Sequence, residues 1–132
     1  MEYDMPTTIV RTLLNSPFKS FKRSKDDPYP CDLFSDIGVF AYYNRHGLLK
    51  ALEFAMPAEP LLGGINLLGM GFSAARDILK SIDPNVEEDE TGGATSFEAG
   101  VGIWAPHTKD DPMDPCESVI AFAGGYYDDP DT

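Results

Sequence analysis

Apolar residues recur along this chain in two periods, and the switches between them mark its elements. Over residues 7–15 they fall at Ile9, Val10, Leu13 and Leu14, the spacing of one helix face. Thr7 or Thr8 can cap that helix, and Pro17 stops it. Residues 72–82 show the pattern more fully, with Phe72, Ala75, Ile78, Leu79 and Ile82 on one face, Ser73 as the cap and Pro84 at the end. Elsewhere the period falls to two. Ile37, Val39 and Ala41 alternate with Phe40 and Tyr42, which predicts a half-buried strand over 37–43. Asn44-Arg45-His46-Gly47 has the turn chemistry of a hairpin, and 48–55 returns as the partner strand. Residues 101–105 and 118–123 predict a second hairpin around a polar loop at 106–116. An edge strand is expected within 18–25, a proline-marked loop at 26–30, and an acidic strand edge or loop at 86–93.

The two hairpins look like copies of one unit. Ile37-Gly38-Val39-Phe40-Ala41 matches Val101-Gly102-Ile103-Trp104-Ala105 in residue type, 64 positions apart. Leu52-Glu53-Phe54-Ala55 matches Ile120-Ala121-Phe122-Ala123 at 68, with the extra residues in the second connection, where insertions cost least. The helices align at 65, Arg76, Ile78 and Leu79 lying over Arg11, Leu13 and Leu14. The expected fold is α+β: a single domain of two tandem helix-plus-antiparallel-strand units, about 7–55 and 72–123, sharing one core with the helices on one side of the sheet. A Pro- and Gly-rich link, 56–71, joins them and has room for a brief hairpin. Residues 124–132 are expected to form a frayed tail.

Charge narrows the function. The 132 residues carry 10 basic and 22 acidic side chains, a net charge of −12. The basic residues gather early: Arg11, Lys19, Lys22, Arg23 and Lys25 outnumber Glu2 and Asp4, leaving −15 for the rest. Such a body repels nucleic-acid phosphates and anionic membranes, and it steers a basic protein partner. No segment reaches membrane-spanning length, and the N-terminus has acids where a secretory signal carries cations, so a cytoplasmic protein is expected. Cys31 and Cys116 fit no metal spacing and are expected to be reduced thiols.

Residues able to carry catalysis are few. His46 lies in a turn and His107 in a loop, and a thiolate from Cys31 with His46, or Cys116 with His107, is the one catalytic arrangement the composition offers. Glu87, Glu88, Asp89 and Glu90 form one acidic run, and Asp110, Asp111 and Asp114 a second. Neither has the alternation of a calcium loop, and the glycines of 61–71 lack phosphate-cradle spacing, so neither metal nor cofactor is expected. What stands out is a set of interface-type aromatics, Tyr42, Tyr43, Trp104, Tyr126 and Tyr127, interleaved with acids. Trp104 overlies Phe40 in the repeat, which points to a core position, whereas Tyr126 and Tyr127 point to the surface.

Residues 47–82 follow a pattern of Gly and apolar residues leading to Glu53-Phe54-Ala55, a Pro57-Ala58-Glu59 link, Leu61-Leu62-Gly63, then a helix. Over roughly 31–123 the chain resembles small acidic bacterial proteins of immunity-protein type, which neutralise a cognate toxin of a polymorphic or contact-dependent system. The tandem units are also similar to β-lactamase-inhibitor-type proteins, though without the secretory segment of those inhibitors. These are fold motifs and bring no functional residue with them. The resemblance implies a non-enzymatic inhibitor that occludes a basic toxin or effector domain. The contact residues expected for it are Glu87, Glu88, Asp89, Glu90, Asp110, Asp111, Asp114, Tyr126, Tyr127, Asp128 and Asp129. A structural module that homodimerises through a sheet edge is the alternative, with a cysteine-dependent enzyme behind it.

Overall fold

The alternating segments pair into one eight-stranded antiparallel sheet in a computed structural model that describes residues 2–108 and 110–127. The first half contributes α1 (Thr7–Leu14), β1 (Lys19–Phe21), β2 (Cys31–Phe34), β3 (Val39–Tyr43) and β4 (Leu49–Phe54). The link folds into a small separate hairpin, β5 (Leu61–Leu62) with β6 (Ile65–Asn66). The second half contributes α2 (Phe72–Ile82), β7 (Glu87–Glu88), β8 (Gly93–Ser96), β9 (Val101–Trp104) and β10 (Ser118–Phe122). The sheet order is β1-β2-β3-β4-β10-β9-β8-β7, so each half is a four-stranded meander and the two join through their last strands. The class is α+β, and among the described residues no helix is long and apolar enough to cross a membrane.

Equivalent hydrogen bonds expose the repeat and correct its register. Leu49 N–H donates to Met5 O at 2.9 Å, and Cys116 N–H to Met70 O at 2.8 Å; Thr7 N–H donates to Gly47 O at 3.0 Å, and Phe72 N–H to Asp114 O at 2.8 Å. The helices therefore correspond at 65, as their sequences indicate, but β4 and β10 correspond at 67. Gly38 and Gly100 open β3 and β9 with φ of +68° and +69°, and their carbonyls accept from Ala55 N–H and Phe122 N–H at 2.8 and 2.9 Å. So β3 and β9 correspond at 62, placing Trp104 over Tyr42 and not over Phe40. The offset of 64 shares its faces with 62, which is why alternation cannot reveal the slip. The offset of 68 would put Leu52 over Ile120, yet Leu52 faces the helices and Ile120 the other side.

Each helix covers its own half of the sheet. Val10 of α1 is fully buried against Phe34, Val39, Ala41 and Leu49. Phe72, Ala75 and Leu79 of α2 pack on Ala94, Ile103 and Val119. Val119 pairs directly with Phe54, so both clusters lie on the same face. What the halves share is the sheet. Neither helix has a side-chain cap: Thr7 and Ser73 instead donate their hydroxyls to Gly47 O and Pro112 O, both at 2.9 Å, tying each helix start to its neighbouring loop. Ile37 belongs to a 3-10 turn before β3. β2 and β8 lie outside the periodic segments, being short, and Gly93, Ala94 and Ser96 are weak strand formers.

The helix side also holds a buried charge. Arg11 donates from Nε and an η nitrogen to Asp32, at 2.8 and 3.0 Å, while Ser20 and Tyr43 donate to the same carboxylate. Burial alone would raise the Asp32 carboxyl, but the bonds from Arg11, Ser20 and Tyr43 outweigh it and hold the acid below the usual range.

Candidate functional site

With both helices on one side, the strand period turns the alternate side chains to the opposite side, where Tyr42 and Phe122 are buried in a small cluster with Cys31 and Ala51 while Trp104 and Tyr127 stay exposed. Phe40 and Tyr42 of β3, Glu53 of β4, Ile120 and Phe122 of β10 and Trp104 of β9 occupy that open face. A shallow cleft of about 430 Å³ runs across it, lined by Tyr42, Glu53, Trp104, Ile120, Tyr126 and Tyr127. The Tyr42 hydroxyl donates to Glu53 at 2.5 Å, a charge-assisted length. Burial, then this bond, raises the Tyr42 phenol well above its ordinary value, so it remains a neutral donor. Tyr126 and Tyr127 follow β10 in a turn and pack on the face, Tyr127 lying edge-to-face 5.0 Å from the Phe122 ring and 5.9 Å from Phe97. The described part of the expected tail is thus held by packing of rings, because the strand ends with apolar Phe122 beside them. Tyr127 is 55% exposed, in keeping with its sequence.

Trp104 corrects the core expectation. It is 43% exposed, because its face carries no helix and the strand residue paired with it is Gly93. Its indole N–H donates to Thr91 O at 3.1 Å. Tyr43, by contrast, points to the helices and to Asp32.

The acids divide by role. Glu87 and Glu88 form the outer strand, where Glu88 meets Arg76 at 3.4 Å and Lys80 at 3.2 Å. Asp89 folds the following turn, accepting from Thr91 N–H, Thr91 Oγ and Gly93 N–H, and these bonds, the Thr91 hydroxyl foremost, hold it ionised. Glu90 is exposed. Asp111 and Asp114 accept from Met113 N–H and His107 N–H, so they shape the 106–116 loop, and Asp110 is exposed there. Thr108 and Pro112 of this loop border a second groove of about 470 Å³ with Arg76, Glu88, Asp89 and Glu90, while Asp110, Asp111 and Asp114 do not line it. Asp128 and Asp129 lie outside the described residues.

Two contributors to the face carry no sequence signal. Arg23, a surface cation by its context, stacks its guanidinium over Tyr42 at 4.2 Å from the ring centroid. Glu53 is on the cleft because β4 pairs with both β3 and β10. Of the thiols, Cys31 lies beneath this face beside Tyr42 and Cys116 lies on the helix side. Cys31 and Cys116 are buried in different clusters, and burial raises both, Cys116 to about 11, while His46 and His107 stand in exposed turns. No protein family, curated protein or solved structure matches the chain.

Proposed function

We propose that this chain is a non-enzymatic inhibitory binding protein of the immunity-protein kind, which occludes a basic toxin or effector domain with the open face of its sheet. One observation carries the reading. Both helices cover one face, while the other keeps Trp104, Tyr126 and Tyr127 in contact with solvent beside the carboxylates of Glu53 and Asp89. Large rigid aromatics supply contact area at low entropic cost, and surrounding acids favour and orient a cationic partner. Inhibition would be steric and electrostatic: the aromatics seat on the rim of the partner's cleft, and Glu87, Glu90, Asp110 and Asp111 steer its approach.

The alternatives have less support. A cysteine-dependent enzyme needs a thiolate at neutral pH, and both thiols are buried and held protonated. A symmetric dimer through β1 would crowd Lys19 and the adjoining Lys22 of both copies along one seam, and one through β7 would crowd Glu87 and Glu88 likewise.

The test is capture with the tagged chain from cells of its source, alongside Trp104→Ser and Tyr127→Ser chains, with washes at low and high salt. A stoichiometric basic protein, released by salt and lost with either substitution, is the expected result. A partner retained undiminished by both variants would place binding away from this face.

A further inference from the structure

In the first half the chain docks a cation of its own on the open face. Arg23, just beyond β1, lies over the Tyr42 ring, with Asp27 as its carboxylate partner at 3.8 Å. The second half repeats the ring and sets a carboxylate, Asp89, beside it from a different position of the repeat. Trp104 stands at the position of Tyr42. Residues of β1 correspond to those of β7 at 68, since Lys19 pairs with Leu33 as Glu87 pairs with Thr95. The place of Arg23 therefore falls at Thr91, whose side chain is too short to reach over a ring and is turned to Asp89. Among the described residues no cation stands over Trp104.

The carboxylate is already in position. Gly93 is the strand partner of Trp104, and a Cβ on Gly93 would meet the Asp89 carboxylate, so that group lies over Gly93 next to the indole. Its Oδ1 takes three hydrogen bonds from Thr91 and Gly93, and its Oδ2 has no donor among the described residues. Asp89 and Trp104 both line the 430 Å³ cleft, with Glu53 as a further acid.

We infer that the Trp104–Asp89 corner of the cleft is a seat for an arginine side chain of the protein partner, its guanidinium stacked on the indole and donating to Asp89 Oδ2. The inference rests on the binding-protein reading above and names the chemistry of its contact. A planar guanidinium satisfies a ring face and a carboxylate edge together, whereas a compact ammonium does so less well. Arg23 on Tyr42 is the chain's own example of the arrangement.

Trp104 is the one tryptophan, so its fluorescence reports on the seat directly. The probe is the capped tripeptide acetyl-Gly-Arg-Gly-amide, compared with its citrulline analogue, which keeps the shape without the charge. A single ring-and-carboxylate contact corresponds to millimolar binding, so a saturable change in Trp emission is expected below about 50 mM peptide. Citrulline should bind at least about tenfold more weakly, and Asp89→Asn should weaken the arginine peptide about fivefold while its amide oxygen keeps the turn. Arg23→Ala should add a second peptide site at Tyr42, visible by NMR as shifts of β3 resonances. No saturable response, or equal binding of citrulline, overturns the seat. If a captured partner is held equally by Asp89→Asn, the seat is wrong and the binding-protein reading stands. If the arginine peptide binds as described but no partner is captured, the seat stands and that reading falls.

Discussion

The Arg11 guanidinium grips the fully buried Asp32 carboxylate, and the equivalent guanidinium in the second half, Arg76, reaches a different strand. Asp32 lies on β2, where the second half has Ala94, while Glu88 of β7 stands in the place of Ser20 of β1. The arginine persists in both copies and its acid has moved from an inner strand to the edge. The energetics should differ accordingly. Arg11→Met strands a buried carboxylate and should cost about 3–5 kcal/mol, whereas Arg76→Met breaks exposed pairs and should cost no more than about 1 kcal/mol. Urea unfolding of both variants checks the contrast.

The same carboxylate gives a pH signature. Its folded pKa lies below the ordinary aspartate value, so it stabilises the fold above about pH 4, the unfolded value, and loses that contribution as pH falls through the lowered folded value. Arg11→Met removes the largest of the bonds that lower it. The stability difference between the native chain and Arg11→Met should therefore be widest near neutrality and shrink below about pH 4. A difference independent of pH would show that Arg11 acts through packing alone.

The corrected repeat is open to test through its glycines. Gly38 and Gly100 both have positive φ, and a Cβ at either would press on a backbone carbonyl, of Ala55 and of Phe122. Gly102, the match of Gly38 at an offset of 64, lies inside β9, where a Cβ would meet the Ile120 side chain and Thr95 hydroxyl at 3.1 and 3.4 Å and the Ala94 carbonyl oxygen at an ordinary 3.7 Å. Gly38→Ala and Gly100→Ala should each cost about 2 kcal/mol or more, from left-handed strain and the carbonyl clash, and Gly102→Ala clearly less. Thermal melting of the three variants decides. Equal losses at all three sites would remove the pairing of Gly38 with Gly100.

Much of this architecture is legible in the chain because burial has a period. α1, α2, β3, β4, β9 and β10 follow from apolar spacing, and the duplication follows from their similarity. The register of β3 against β9 was not legible, because a strand compared with itself two residues on presents the same faces, and positive φ at Gly38 and Gly100 distinguishes them; that of β4 against β10 slips by one residue, which only the face each side chain takes reveals. The site was half legible. Tyr126 and Tyr127 follow from composition and position. Trp104 is exposed where its alignment with Phe40 points to the core, because aromatic type says nothing of which sheet face the helices cover. Arg23 and Glu53 reach the cleft only through cross-strand pairing between distant segments, which local pattern does not encode.

Burial of the thiols predicts their chemistry. Cys116, held near 11 by burial and by Asp114, and Cys31, raised by burial, should be unreactive to iodoacetamide in the folded chain at about pH 8, although a free thiol at that pH is partly thiolate. Both should alkylate in urea. Mass spectrometry after a timed pulse counts the modified sites, and one fast thiol in the native chain would revive the enzymatic alternative.

Steering supplies the last prediction. The two free edges of the sheet are equivalent in the repeat and opposite in charge: Lys19 and Lys22 belong to one, Glu87 and Glu88 to the other. Glu87 and Glu90 are the acids to reverse, because Glu88 pairs with Arg76 and Lys80 and Asp89 builds its turn. Reversing both to Lys changes each position by two charges and moves the net charge from −12 to −8. Association with the captured basic partner should slow about tenfold at low salt, with dissociation little changed, because long-range charge acts on the encounter and not on the docked contact. Near 1 M salt, where the screening length is about 3 Å, the two chains should associate at the same rate. An unchanged low-salt rate would mean that these acids serve solubility and that the aromatic face finds its partner without them.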